Sequence, residues 1–168
     1  PLDGVFVNAY GVSATTNTSG QFSISDVEYP EDRLIVNFQR SGYFNNTVGT
    51  IPSKNSKTFL KVVLIEKVLI GTVNSTTGGS ITNSKIEMSF QGNSFINSDG
   101  SPISGNINVF AEYIDPEDDD FGITIPGGDF AARNNSGENG ILFSYGAIDF
   151  ELEDASGNGV ELVTAIDI

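Results

Sequence analysis

Val5-Phe6-Val7-Asn8-Ala9-Tyr10 and Gln21-Phe22-Ser23-Ile24-Ser25 are the stretches on which the fold turns. The first is rich in β-branched and aromatic side chains. The second alternates polar and apolar at period two, the pattern of a strand with one buried face. Residues 13–20 between them are Ser, Thr, Asn, Ala and Gly, a turn composition. Leu34-Ile35-Val36-Asn37-Phe38-Gln39 and residues 43–48 read as the next strands, and 68–73, 85–90, 107–114, 141–152 and 160–166 follow in the same style. Turn clusters at 74–79, 97–105, 126–128, 134–140 and 156–159 separate them. Asn158-Gly159 predicts a type I′ hairpin, because that turn needs positive φ at both central residues. No stretch combines helical periodicity, capping residues and adequate length. The expected fold class is all-β, of the sandwich or open-barrel kind.

Residues 58–73 are the ambiguous part. Their apolar positions fit a helix face, but the β-branched content and Gly71 favour two strands meeting at Glu66-Lys67. A domain boundary is expected there, giving two tandem β-sandwich-like domains, 1–66 and 67–168.

The chain has 168 residues, of which 38% are hydrophobic and 18% charged, enough for a core and too weakly charged for a solvated disordered chain. Net charge is −14 with a pI near 4.1. Residues 1–70 hold six acids and six bases, so the excess falls on 71–168, where only Lys85 and Arg133 offset sixteen acids. Such a surface repels nucleic-acid phosphates and anionic lipid. Neither nucleic acid nor direct membrane insertion is expected; basic surfaces and cations are the natural partners. Cys and His are both absent, which removes disulfides, thiol nucleophiles, the usual zinc ligands and the commonest general base. A cysteine-free chain rich in Asn, Ser, Thr and Gly points to an extracytoplasmic, bacterial surface setting.

The first part resembles the carboxypeptidase regulatory-like, transthyretin-related (prealbumin-like) β-sandwich. The residues that carry the resemblance are Pro1-Leu2-Asp3-Gly4-Val5-Phe6-Val7, then Thr16-Asn17-Thr18-Ser19-Gly20-Gln21-Phe22-Ser23-Ile24, then Leu34-Ile35-Val36 and Ser41-Gly42-Tyr43. The family places a further strand before the first of these, so the resemblance implies a sandwich whose first strand lies outside this sequence or comes from another chain. The second part is similar to the domain that follows such a sandwich in cartilage-intermediate-layer-like proteins and in bacterial surface lipoproteins and adhesins. Asp99-Gly100-Ser101-Pro102-Ile103-Ser104-Gly105, Ile114-Asp115-Pro116, Ile125-Pro126-Gly127-Gly128-Asp129-Phe130 and Leu142-Phe143-Ser144-Tyr145-Gly146 carry that similarity. It implies a non-catalytic scaffolding or adhesive role.

Asp115-Pro116-Glu117-Asp118-Asp119-Asp120 is the strongest chemical feature. Its reading is first a solvated acidic loop. Its second reading is a calcium loop with Asp115, Glu117, Asp118, Asp119 and Asp120 as candidate ligands, since hard oxygen donors suit Ca²⁺. The spacing is not that of an EF-hand. Asp154 to Gly159 and Asn97 to Gly100 offer further oxygens and read as turns. Ser144 lacks a Gly-x-Ser-x-Gly elbow, and no His is present to activate it. Asn17, Asn45, Asn74 and Asn134 head glycosylation tripeptides of a kind common by chance in this composition.

The expected function is a non-catalytic structural or adhesive module of a larger cell-surface or secreted protein. No cofactor is required and calcium is optional. Its partners would be other domains of the same polypeptide, a surface protein or a glycan. Two alternatives stand beside it. One is a carbohydrate-binding accessory domain that uses Tyr10, Tyr29, Tyr43, Tyr113 or Tyr145. The other is a component of an outer-membrane assembly joined by strand addition.

Overall fold

The computed structural model describes residues 1–29, 33–52, 57–128 and 130–168. Asp129, named above, and Glu31, Asp32 and Lys54, counted among the acids and bases of residues 1–70, lie outside the described residues. The chain is nearly all-β. Its strands are β1 (Phe6–Ala9), β2 (Val12–Thr15), β3 (Leu34–Gln39), β4 (Asn46–Thr50), β5 (Leu69–Asn74), β6 (Gly78–Thr82), β7 (Glu87–Gln91), β8 (Phe95–Ile96), β9 (Asn106–Ile114), β10 (Ala131–Arg133), β11 (Asn139–Ile141), β12 (Ala147–Glu153) and β13 (Glu161–Leu162). The helix α1 is one turn, Phe121–Thr124. Two compact units form: Pro1–Glu66 with Ile114–Ala147, and Lys67–Tyr113 with Ile148–Ile168. This partition differs from the expected 1–66 and 67–168 by one stretch, because residues 114–147 pack with the first unit.

The first unit holds an antiparallel sheet in the order β2-β1-β3-β4. Val7, Ala9, Val36 and Phe38 point to one face and are fully or almost fully buried. Two extended segments cover that face: Phe22 and Ile24 from one, Leu60, Val62 and Leu64 from the other. Phe22 meets Phe38 edge-to-face at 5.5 Å. The period-two reading of 21–25 therefore describes burial correctly, yet among the described residues no ladder forms there or along 58–65; 58–65 is tied only by single bonds such as that of the Phe44 amide to the Ile65 carbonyl.

The β1–β2 turn is Tyr10-Gly11, with φ of 48° and 88°, so residues 13–15, expected as turn, belong to β2. Both central residues are left-handed, as a two-residue hairpin requires. The expected turn at residues 17–20 does form. Asn17 Oδ1 accepts the Ser19 and Gln21 amides, and Gly20 donates to the Asn17 carbonyl. Gly20 has φ +69°, and a Cβ there would lie 2.9 Å from the Leu2 backbone nitrogen.

The edge strand β4 is capped by the stretch after α1. Gly127 donates to the Thr47 carbonyl at 2.6 Å and bridges Val48 in parallel. Asn46, buried, donates through Nδ2 to the carbonyls of Val63 at 3.2 Å and Thr124 at 2.8 Å. This clip, with Val63 N–H to the Ile123 carbonyl, holds residues 114–147 in the first unit.

The second unit holds a five-stranded sheet in the order β12-β9-β5-β6-β7 and the short pair β8–β13. Ile107, Val109 and Ala111 alternate inward along β9 and meet Val73, Ile81, Met88, Phe90, Phe95 and Leu152. Glycine is forced at the start of β6: Gly78 has φ +70°, and a Cβ there would collide with the Phe90 carbonyl. The hairpin expected at Asn158-Gly159 forms, but its left-handed residue is Gly157 (φ +82°), not either member of that pair. Asp154 Oδ1 takes the Ser156 and Asn158 amides and thereby moves the turn back by two residues.

Candidate functional site

The acidic run 115–120 leads into α1 in the first unit. Its local hydrogen bonds are those of a self-capped turn. Asp115 Oδ1 accepts the Glu117 amide at 3.0 Å, and the Asp115 carbonyl accepts the Asp118 amide at 3.2 Å. Asp120 pairs with Lys61 Nζ at 3.3 Å, both side chains well exposed. Glu117, Asp118 and Asp119 are exposed. Among the described residues, no three acidic side chains converge as a metal site would require.

A second acidic group lies on β12 of the other unit. Ile148, Phe150 and Leu152 face the core, so Asp149, Glu151 and Glu153 share the opposite face. Lys67 lies among them, paired with Glu151 and, at 3.2 Å, with Glu153. Burial alone would lower the Lys67 pKa; hydrogen bonds and charge from the two glutamates outweigh it and hold the ammonium above its ordinary range. Asp149 behaves oppositely. Burial first, then the charge of Glu151, pushes its carboxyl up to about 6 against the pull of Lys67. Sequence reading missed this group. The signal was present in Asp149-Phe150-Glu151-Leu152-Glu153, three acids at period two on a strand read only for its apolar half.

The third feature is the hairpin β10–β11. Among the described residues it forms a sheet of its own, with β11 paired to β10 alone. Every residue from Arg133 to Phe143 is exposed. Ile141 is 71% exposed, Leu142 61% and Phe143 91%, three consecutive large apolar side chains facing water. The expected strand 141–152 is thus two pieces, β11 and β12, with a bend at Ser144 to Gly146. There the Ser144 hydroxyl donates to the Gly146 carbonyl at 2.9 Å. That bond makes Ser144 a bend former. The bend also separates the exposed apolar residues from the core-facing ones, a split that hydropathy cannot reveal.

Several other features flagged in the sequence are turn formers or lie under a cation. Asn97, Asn134 and Asp154 head five-residue turns with the Asn17 pattern, in which the amide of the fourth residue, Gly100, Gly137 or Gly157, donates to the first carbonyl. Asp99 and Asp154 are held below the usual carboxylate range, chiefly by bonds from Ser101 and Asn158 respectively. Asn74 Oδ1 accepts the Thr76 and Thr77 amides. Of the tyrosines, Tyr43 lies beneath Arg40 at 5.1 Å and Tyr113 beneath Lys85 at 5.8 Å, while Tyr145 exposes its ring.

Comparison with protein-family models, with characterised proteins and with solved structures finds no match for this chain.

Proposed function

We propose that this chain is a non-catalytic structural or adhesive module of a larger cell-surface or secreted protein, extracytoplasmic and bacterial in setting. One observation carries the reading: side chains able to do chemistry are spent on building turns. Asn17, Asn74, Asn83, Asp99, Asn134 and Asp154 each accept backbone amides of their own loop. Such Asx-capped turns stiffen a loop-rich fold without disulfides. In this reading the first unit is a transthyretin-like sandwich of the carboxypeptidase regulatory-like kind. The register of β1 against β3, the Gly20 turn and the inward Phe22 and Ile24 support that assignment. The acidic run acts as a solvated loop that does not require calcium.

The test is retention. Beads coated with the folded protein, passed over immobilised matrix proteins, cell-surface proteins and glycans, are expected to be held on a defined subset of the proteins. Washing through every surface at the rate of albumin-coated beads would refute adhesion. A carbohydrate-binding reading has one observation in its favour, the outward rings of Phe143 and Tyr145. Binding confined to the glycans would establish it instead.

A further inference from the structure

We propose that the outer edge of β11 takes up an extended polypeptide segment, apolar in its middle and flanked by Lys or Arg, as an added antiparallel strand. The inference rests on the adhesive reading and names the partner's chemistry.

The Leu142 amide donates to the Phe130 carbonyl at 2.8 Å, and the Asn134 amide to the Glu138 carbonyl at 3.0 Å. With the register Ala132↔Gly140, residues 138, 140 and 142 therefore turn their backbone groups toward β10. By alternation, the N–H and C=O groups of Asn139, Ile141 and Phe143 point away from it. That is a row of donors and acceptors ready for another strand. A two-stranded hairpin is marginal in water without further cover.

Ile141 and Phe143 project to one face, 71% and 91% exposed, and Leu142 to the other. Ile141 and Phe143 together leave apolar area on the order of 300 Å² on that one face, within the size of patch that is commonly functional. Residues 139–147 contain no charged group, so an apolar strand can lie along them without burying a charge.

Charge selects the occupant. Asp118, Asp119 and Asp120 run into Phe121, whose ring stacks on Phe130 at 5.5 Å, and Phe130 is the residue whose carbonyl holds Leu142. The acidic loop is therefore anchored beside the end of the apolar edge. The unit as a whole carries thirteen acids against six bases. A second copy would bring the same excess, and an anionic bilayer would be repelled in the same way. A strand with basic ends meets both features.

A fluorescein-labelled peptide of four Thr-Val repeats between pairs of lysines is the probe, read by anisotropy against the whole chain. Saturable binding is expected. It should weaken by about tenfold or more when the lysines become glutamates, and by a similar factor in Phe143→Glu. Ile141→Pro deletes an outward N–H and no bond to β10, so it should weaken binding while leaving the circular dichroism unchanged. Phe143→Glu, at a side chain already in water, serves if Ile141→Pro does not fold. Equal affinity for the two peptides, indifference to Phe143→Glu, or no binding by folded protein would overturn the proposal. So would a wild-type dimer in sedimentation that Phe143→Glu dissociates, which would make a second copy the occupant. Bead retention that survives Phe143→Glu would sink this edge alone and leave the adhesive reading standing.

Discussion

Replacing Asp149 by Asn should make the second unit more stable at neutral pH and remove a pH dependence that the wild type shows. The carboxyl lies half-buried on β12 beside Glu151, and its pKa rises from 3.8 to about 6 on folding. The folded state therefore binds this proton more tightly than the unfolded chain does. Stability from this group is fully present below about pH 4 and is lost as pH climbs through about 6. At 1.36 kcal/mol per pH unit, a rise from 3.8 to about 6 corresponds to about 3 kcal/mol. The carboxyl is half-exposed, and solvent screening reduces this to about 1 kcal/mol. Asn keeps the shape and cannot ionise. The variant should match the wild type near pH 4 and exceed it by about 1 kcal/mol at pH 7, or about 2–4 °C in melting temperature. Urea melts followed by tyrosine fluorescence and circular dichroism at half-unit pH steps give the difference curve, in which the other carboxylates cancel to first order. A difference that is flat from pH 4 to 7, or a variant less stable at pH 7, would refute the assignment of Asp149 as the strained acid.

Three further outcomes are expected. Asn46→Ala strips the Val63 and Thr124 carbonyls of their buried donor, and should cost about 2–4 kcal/mol in urea unfolding. Gly78→Ala puts a Cβ at φ +70° against the backbone of Phe90 and Gly92, and should cost about 2–3 kcal/mol; an unchanged urea midpoint would remove the steric argument. Millimolar calcium should shift the melting temperature no more than magnesium at equal ionic strength. A calcium-specific rise that Asp118→Asn with Asp119→Asn abolishes would show that the acidic run gathers around the ion.

The all-β class was legible because period-two patterning and turn residues recur throughout, and the inward sets Val7/Ala9, Val36/Phe38 and Ile107/Val109 follow directly from alternation. What escaped is what alternation does not encode. Residues 21–25 and 60–64 place apolar side chains inward as strands do, yet among the described residues they cover the sheet without forming a ladder with it, because alternation reports burial and not backbone pairing. Tyr10-Gly11 hid as strand because Tyr is a β-former; here it holds φ 48°, a position usually left to Asn or Gly. In the acidic run, composition was visible but convergence was not, since neighbouring carboxylates on a turn point in different directions.

The placement of residues 114–147 also changes what the charge means. Along the sequence, the whole acidic excess falls after residue 70, as though one neutral and one acidic domain were joined. In the fold, the returning stretch takes seven acids and one base into the first unit, which then carries a net −7, and the second unit, with nine acids and two bases, carries −7 as well. Neither unit is the neutral one, so a basic partner has no electrostatic reason to prefer the second unit over the first. What distinguishes them is where the acids lie. In the second unit, Glu151 and Glu153 are neutralised in part by Lys67 on the face of a packed sheet. In the first, Asp118 and Asp119 stand in water beside an apolar strand edge. Long-range attraction would thus be shared by both units, while short-range capture falls to the first. Raising the salt should slow association of a basic strand with the whole chain, whereas Phe143→Glu should act mainly on its release.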